Sequence, residues 1–451
     1  MQVIVIGATH AGVAAIKTVL KYNPTAEVTV IERHAEVSFV AGGVPLYLEG
    51  GISSLNQLMY TSVADLTALG AKMLMQHDAI RIDYDRQEVL VQNLQSDEIL
   101  SLHYDKIILA TGSAVVVPSM RGVDAQRVMM VKDYQTTMQV VKATKANERI
   151  TIIGGGYVGT ELAAALAASG HKVTLLQRNS HLLPLYYDTD IALEVQNLLV
   201  ANGVDIHLNA AVTGFKNGVD LQVCTADHEY PSDLALICTG FVPVSNLVAG
   251  HVDLDRRGAV VTNDYGQSSD PNIYAAGDVR AAHSTVLGKE IYLPLASNAV
   301  RQGQLAGLNV AGRHIRDRGS QGSTASSFFG HIFASTGLTQ EEAERYGLDV
   351  RATTYTDWCR MPSIQPNGKI TVRLVFATAT HRILGGQLQS MQEDIVQATN
   401  ALSVAMENKN TLEDLAAVDM LFHPEYNRPL NYLNAAAQQA IDEVGLLDDP
   451  E

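Results

Sequence analysis

Two apolar runs, VIVIG (Val3 to Gly7) and ITIIG (Ile150 to Gly154), each break at a glycine-rich turn, and each is followed by a helix-forming stretch and a second apolar run. Short apolar runs bounded by turn residues predict strands. The second runs are VTVIER, which ends at Glu32 and Arg33, and VTLLQR, which ends at Gln177 and Arg178. A strand, tight turn, helix and strand therefore occur twice. DKIILATGS (Asp105 to Ser113) and SDLALICTGF (Ser232 to Phe241) close the two units as buried strands that end in small-residue turns, with Thr111, Gly112 and Gly240 in the turns. NIYAAGDV (Asn272 to Val279) supplies one more strand, and YLPLASNAVRQGQLAGLNV (Tyr292 to Val310) a helix that begins near Ala296. HIRDRGSQGSTASS (His314 to Ser327) is polar and reads as a linker. Beyond it KITVRLVF and ILGGQLQS predict a hairpin, and residues 391–407 and 431–444 predict helices.

Composition narrows the function classes. The chain has 451 residues, 47% of them hydrophobic, enough for several buried cores. A net charge of −16 leaves no basic footprint for nucleic acid or an anionic membrane. No apolar stretch reaches the length of a membrane span, so neither partner is expected. Three cysteines, Cys224, Cys238 and Cys359, are too few and too scattered for a disulfide framework or a metal site. No metal is expected, and a reducing cytoplasm is the expected location.

The repeated turn carries the chemistry. In such a turn the first glycine allows the bend, the second admits a pyrophosphate close to the backbone, and the third lets helix pack on strand. The helix N-terminus then attracts the anion. Gly154, Gly156 and Gly159 fit this pattern fully, whereas the first copy has Gly7 and Gly12 with Thr9 between them. Glu32, about 20 residues on, is the acid expected to meet a ribose. Gly277 and Asp278 end a strand where the carboxylate can accept a ribityl hydroxyl. Ala296 and Ser297 open a helix whose dipole would favour negative charge on a reduced flavin.

With GATHAG, GGGYVGTELA, IYAAGD, LASNAVRQG and VDMLFHPEYNRPLNYLN in this order, the chain resembles the glutathione-reductase-like flavoproteins, within them the NADH oxidase, NADH peroxidase and coenzyme A disulfide reductase branch, and most of all the water-forming NADH oxidases of lactic acid bacteria. The resemblance covers essentially the whole chain. It implies an α/β fold with two Rossmann-type domains and an α+β interface domain. The expected boundaries are an FAD domain over 1–114 and 244–323, an NAD(P) domain over 115–243, and the interface domain over 324–451. It also implies FAD and NAD(P)H as cofactors, and a homodimer whose active sites borrow residues from the partner.

The resemblance assigns roles residue by residue. Relatives carry a redox cysteine after a Ser-Phe pair; here the stretch is Ser38, Phe39, Val40, Ala41, Gly42 and Gly43, so Gly42 stands at the cysteine position beside Ala41. Tyr157 resembles the tyrosine that covers the flavin until nicotinamide displaces it, and Glu161 a residue near the nicotinamide. His10 is expected near the redox centre, either to protonate a leaving peroxide or merely to hydrogen-bond a neighbour. Arg301 is expected either to pair with that region or to face solvent. Glycine cannot cycle between thiolate and sulfenate, and the remaining cysteines read as buried structural residues. The expectation is an FAD-dependent NAD(P)H oxidase that passes two electrons to oxygen, or to a small acceptor such as a quinone, and releases hydrogen peroxide. Gln177 with Arg178, in place of an acid, favours a 2′-phosphate and hence NADPH. The alternatives are a reductase for an iron-sulfur carrier protein and a non-catalytic NAD(P)H-binding flavoprotein.

Overall fold

In the computed structural model, which describes residues 1–448, both repeats form five-stranded parallel sheets. The first runs Ile273–Ala275, Lys106–Leu109, Gln2–Ile6, Glu27–Glu32 and Lys72–Met75 in spatial order. The second runs Asp205–His207, Lys172–Leu176, Arg149–Ile153, Leu234–Ile237 and Val128–Met130. Val3, Ile4, Val5, Ile150 and Ile152 are almost wholly buried. Strands covered on both faces have no polar face to alternate, which explains the unbroken apolar runs. The chain crosses from one sheet to the other, and back, through the antiparallel ribbon formed by Ser113–Val115 and Phe241–Pro243.

Helices His10–Tyr22 and Ala296–Val310 cross closely on the first sheet because glycines line the contact. A Cβ on Gly303 would lie 2.2 Å from the Ala11 carbonyl oxygen, and one on Gly307 would lie 2.9 Å from that of Ala15. The crossing brings both helix N-termini toward one slot.

The C-terminal region is a five-stranded antiparallel sheet in the order Thr324–Phe328, His331–Gly337, Ile383–Ser390, Lys369–Ala377 and Val350–Trp358, packed on helices Ile395–Glu407 and Tyr432–Asp448. The expected hairpin is present. The linker expected up to Ser327 is shorter than that, because Thr324–Phe328 is an edge strand. Its Ser and Thr residues read as loop, yet Ser326 and Phe328 alternate inward with the neighbouring strand. Helix Leu412–Ala417, closed by a capping box between Thr411 and Asp414, was not anticipated.

One buried cluster ties the second sheet's domain to the C-terminal sheet. The Asp188 carboxylate, 3% exposed, accepts from Arg373 Nε at 2.9 Å, Gln387 Nε2 at 2.7 Å, and the backbone N–H groups of Gln340 and Glu341 at 3.1 Å. Those two N–H groups open helix Gln340–Arg345, so the helix dipole adds to the ion pair. Gln387 also accepts from the Asp188 N–H at 2.9 Å.

No helix among the described residues is long and apolar enough to cross a membrane, and none of their His, Cys, Asp or Glu side chains group in threes as metal ligands.

Candidate active site

Each phosphate turn is built as its glycines require. Gly7 and Gly154 have φ of +101° and +109°, a region that favours glycine. A Cβ on Gly12 or Gly159 would lie 1.9 Å from the carbonyl oxygen of Gly7 or Gly154 respectively, so helix and strand touch only without one. At Gly156 a Cβ would meet no atom within 4 Å, which leaves that backbone face open. Thr9 caps helix His10–Tyr22 without a side-chain hydrogen bond, and Leu295 likewise offers none to the helix that begins at Ala296 and Ser297. Both helix starts therefore keep N–H groups free for an anion.

The strand-end residues are equivalent in the two repeats. Glu32 Oε2 accepts from the Ala8 N–H at 2.7 Å, and Gln177 Oε1 accepts from the Gly155 N–H at 3.0 Å. The amide of Gln177 thus preserves the hydrogen bond without the charge. Glu32 Oε1 also accepts from the His34 N–H at 2.9 Å and lies 2.8 Å from His34 Nδ1, and this contact raises the His34 pKa despite burial. Arg33 is exposed and pairs with Asp78 at 2.9 Å. Arg178 is exposed at the mouth of the second turn.

A polar cluster closes the first slot. Ser113 Oγ donates to Asp278 Oδ2 at 2.6 Å and accepts from Lys132 Nζ at 2.7 Å; Lys132 also lies over the Phe241 ring at 4.0 Å. Burial lowers the Lys132 pKa, and Asp278, 3.5 Å away, opposes the shift. Sequence reasoning missed Lys132, since a lone lysine ahead of a helix carries no local signal of burial. His10 shares this field. Burial lowers its pKa, Asp278 raises it and Lys132 lowers it, while Nδ1 lies 3.3 Å from the Tyr60 hydroxyl. Gly277 has φ +80° and donates its N–H to Gln302 Oε1 at 2.9 Å. Thr111 donates to the Val244 carbonyl at 2.6 Å, and Gly112 and Gly240 have φ of +70° and +99°.

Arg301 lies outside this group. It is exposed in the single chain and donates to the Gly319 carbonyl at 2.8 Å. Gly42 sits in the turn Ala41–Gly43 that leads into helix Val44–Leu48, and a Cβ built on it meets no atom within 4 Å.

Across the slot, Tyr157 and Glu161 lie on helix Tyr157–Ala168. The Tyr157 hydroxyl is 2.9 Å from that of Tyr187 and 2.7 Å from Thr324 Oγ1, and its ring leans on Tyr186 at 4.1 Å. Ser326 Oγ donates to Glu161 Oε1. Burial raises the Glu161 pKa to about 7, against that hydrogen bond and with help from Glu49. An acid whose folded pKa is raised above its unfolded 4.5 binds its proton more tightly when folded. Stability is therefore full below that value and falls as pH rises through about 7, by at most roughly 3 kcal/mol. Glu161→Gln should erase this loss: its unfolding midpoint should match the wild type at pH values below about 4.5 and exceed it at about pH 8. An offset independent of pH would show that Glu161 does not titrate there.

The free helix N-termini, the open Gly156 face and the Asp278 cluster fit FAD in the first slot and a nicotinamide dinucleotide in the second. Comparison with known proteins agrees. Residues 1–303 match the pyridine nucleotide-disulphide oxidoreductase family model, and residues 323–432 match the dimerisation domain of the same family. An NADH oxidase of Enterococcus faecalis is 38% identical over 447 residues, which cover 98% of this chain and all of the relative. The structure of a water-forming NADH oxidase from Lactobacillus brevis bound to NADH is 39% identical and superposes with a TM-score of 0.98 over the whole of both chains. An engineered water-forming NADPH oxidase made from that enzyme, bound to NADPH, superposes with the same TM-score, identity and coverage.

Proposed function

The chain belongs to the pyridine nucleotide-disulphide oxidoreductase family and is an FAD-dependent oxidoreductase of the NADH oxidase group; we propose that it accepts NADPH and releases hydrogen peroxide. The net reaction is NAD(P)H + H⁺ + O₂ → NAD(P)⁺ + H₂O₂. Bound FAD would take two electrons from the nicotinamide and pass them to oxygen. The rest falls to the chain. Gly7, Thr9 and Gly12 would hold the FAD pyrophosphate, and Gly154, Gly156 and Gly159 that of the nicotinamide dinucleotide. Asp278, fixed by Ser113 and Lys132, would orient the ribityl chain. His10, which burial holds toward its neutral form, can accept or return a proton beside the slot.

One observation carries the product: position 42 bears no sulfur, so the chain offers no relay from peroxide on to water. The Lactobacillus brevis enzyme and its engineered derivative are water-forming, and the proposed difference in product is assigned to this position.

The NADPH reading rests on Gln177 and Arg178. Loss of a carboxylate removes repulsion of a 2′-phosphate, and the exposed guanidinium can pair with it. The engineered NADPH oxidase supports this reading, because its five substitutions include replacement of an aspartate by alanine and of the next residue by arginine.

The proposed assembly is a homodimer through the C-terminal domain, where Leu421, Phe422 and Tyr426 are 71%, 46% and 55% exposed in the single chain. The proposed location is the cytoplasm.

An oxygen electrode tests the reaction. After FAD-loaded enzyme has exhausted a limiting amount of NADPH, catalase should return about half of the oxygen consumed, and kcat/KM for NADPH should at least equal that for NADH. No oxygen return refutes peroxide as the product. A strong NADH preference refutes the cofactor assignment alone.

A further inference from the structure

Tyr157 opens its helix immediately after the phosphate turn, and its hydroxyl meets partners on two different domains. Tyr187 belongs to the second dinucleotide domain and Thr324 to the edge strand of the C-terminal sheet. A phenol has one proton to donate and lone pairs to accept with, so both contacts can be satisfied together. Thr324 Oγ1 in turn lies 3.1 Å from Ser335 Oγ, which extends the chain of hydroxyls into the sheet.

These partners cannot follow Tyr157 if it moves. Tyr187 is fully buried, with its ring edge-on to Phe333 at a centroid distance of 6.2 Å. It immediately precedes Asp188, which Arg373 and Gln387 fix to the C-terminal sheet. On its other side the segment is pinned by the Leu183 N–H, which donates to the Gly155 carbonyl at 2.7 Å. A shift of the Tyr157 ring therefore breaks both hydrogen bonds at a site where water does not readily replace them.

We propose that Tyr187, together with Thr324, is a positioning residue for the nicotinamide step: the two side chains latch Tyr157, so coenzyme affinity is set in part at the contact between the second dinucleotide domain and the C-terminal sheet. This rests on the reading of Tyr157 as the ring that nicotinamide displaces. The latch opposes that displacement and lowers affinity.

The test is calorimetric binding of NADP⁺ to the FAD-loaded enzyme, with the flavin absorbance spectrum as a check that each variant is folded and loaded. Tyr187→Phe and Thr324→Val each remove one hydrogen bond and should tighten Kd about three- to tenfold, the range one net hydrogen bond provides. Tyr157→Phe removes both bonds and should tighten Kd by about the product of those two effects. The double variant Tyr157→Phe with Tyr187→Phe should bind less tightly than the product of the two single effects, because the pair shares one bond. The limiting rate of flavin reduction should change less than Kd. Unchanged or weaker binding in both Tyr187→Phe and Thr324→Val, or full additivity in the double variant, overturns the latch. If Tyr157→Ala changes Kd while those variants do not, the latch alone has failed. If Tyr157→Ala also leaves Kd unchanged, the displaced-ring reading has failed with it.

Discussion

Gly42→Cys is expected to change the product from the hydrogen peroxide proposed above to water, doubling the NAD(P)H consumed per oxygen and abolishing the oxygen returned by catalase. The site accepts the side chain, since a Cβ there meets no atom within 4 Å and the backbone is outside the positive-φ region. A thiolate at that position could take one oxygen from peroxide to become sulfenic acid with release of hydroxide, and the hydride of a second NAD(P)H would return it to thiolate with release of water. The native cysteines are not activated for this step. Burial pushes the Cys238 thiol up to about 12, and it raises Cys224 and Cys359 as well, so all three disfavour the reactive thiolate. The ratio of NAD(P)H oxidised to oxygen consumed decides the matter. A variant that keeps the one-to-one ratio, with its new thiol titratable by a thiol reagent, would show that the missing sulfur does not determine the product.

Asp188→Ala should cost about 3–5 kcal/mol, the largest loss expected from any single substitution considered above. The alanine strands several groups together: the Arg373 guanidinium, the Gln387 amide and the N–H groups of Gln340 and Glu341 all lose their acceptor. Arg373 retains Asp190, but that carboxylate is 46% exposed and its pairing with Arg373 Nη1 is 3.1 Å, a weaker contact. Asp188→Asn keeps the shape and part of the hydrogen bonding, so it should lose less. Thermal unfolding of the FAD-loaded protein should rank the wild type above Asp188→Asn and that above Asp188→Ala. Equal midpoints for the three would mean that the cluster adds nothing to the domain contact.

Much of the fold was legible because strands covered on both faces and glycine-bound turns are local features. Val3 to Gly7 and Ile150 to Gly154 reveal strand, turn and helix within a few residues, and the Cβ contacts at Gly12 and Gly159 show why those positions are glycine. The edge strand Thr324–Phe328 was not legible, since its Ser and Thr residues acquire an inward face only from the partner strand. The slot divides in the same way. Glu32 and Gln177 could be placed because each ends a strand beside its own turn. Lys132 could not, because it reaches Ser113 and Asp278 from 19 and 146 residues away along the chain.

Sequence alone determined the two dinucleotide turns, the glycine at position 42 and the uncharged amide at 177, since each depends on covalent identity and near neighbours. Folding in three dimensions set the rest: which carboxylate Lys132 meets, which hydroxyls hold Tyr157, and how Asp188 joins two domains. Those contacts depend on burial and on the approach of distant segments, and neither is encoded in any short stretch of residues.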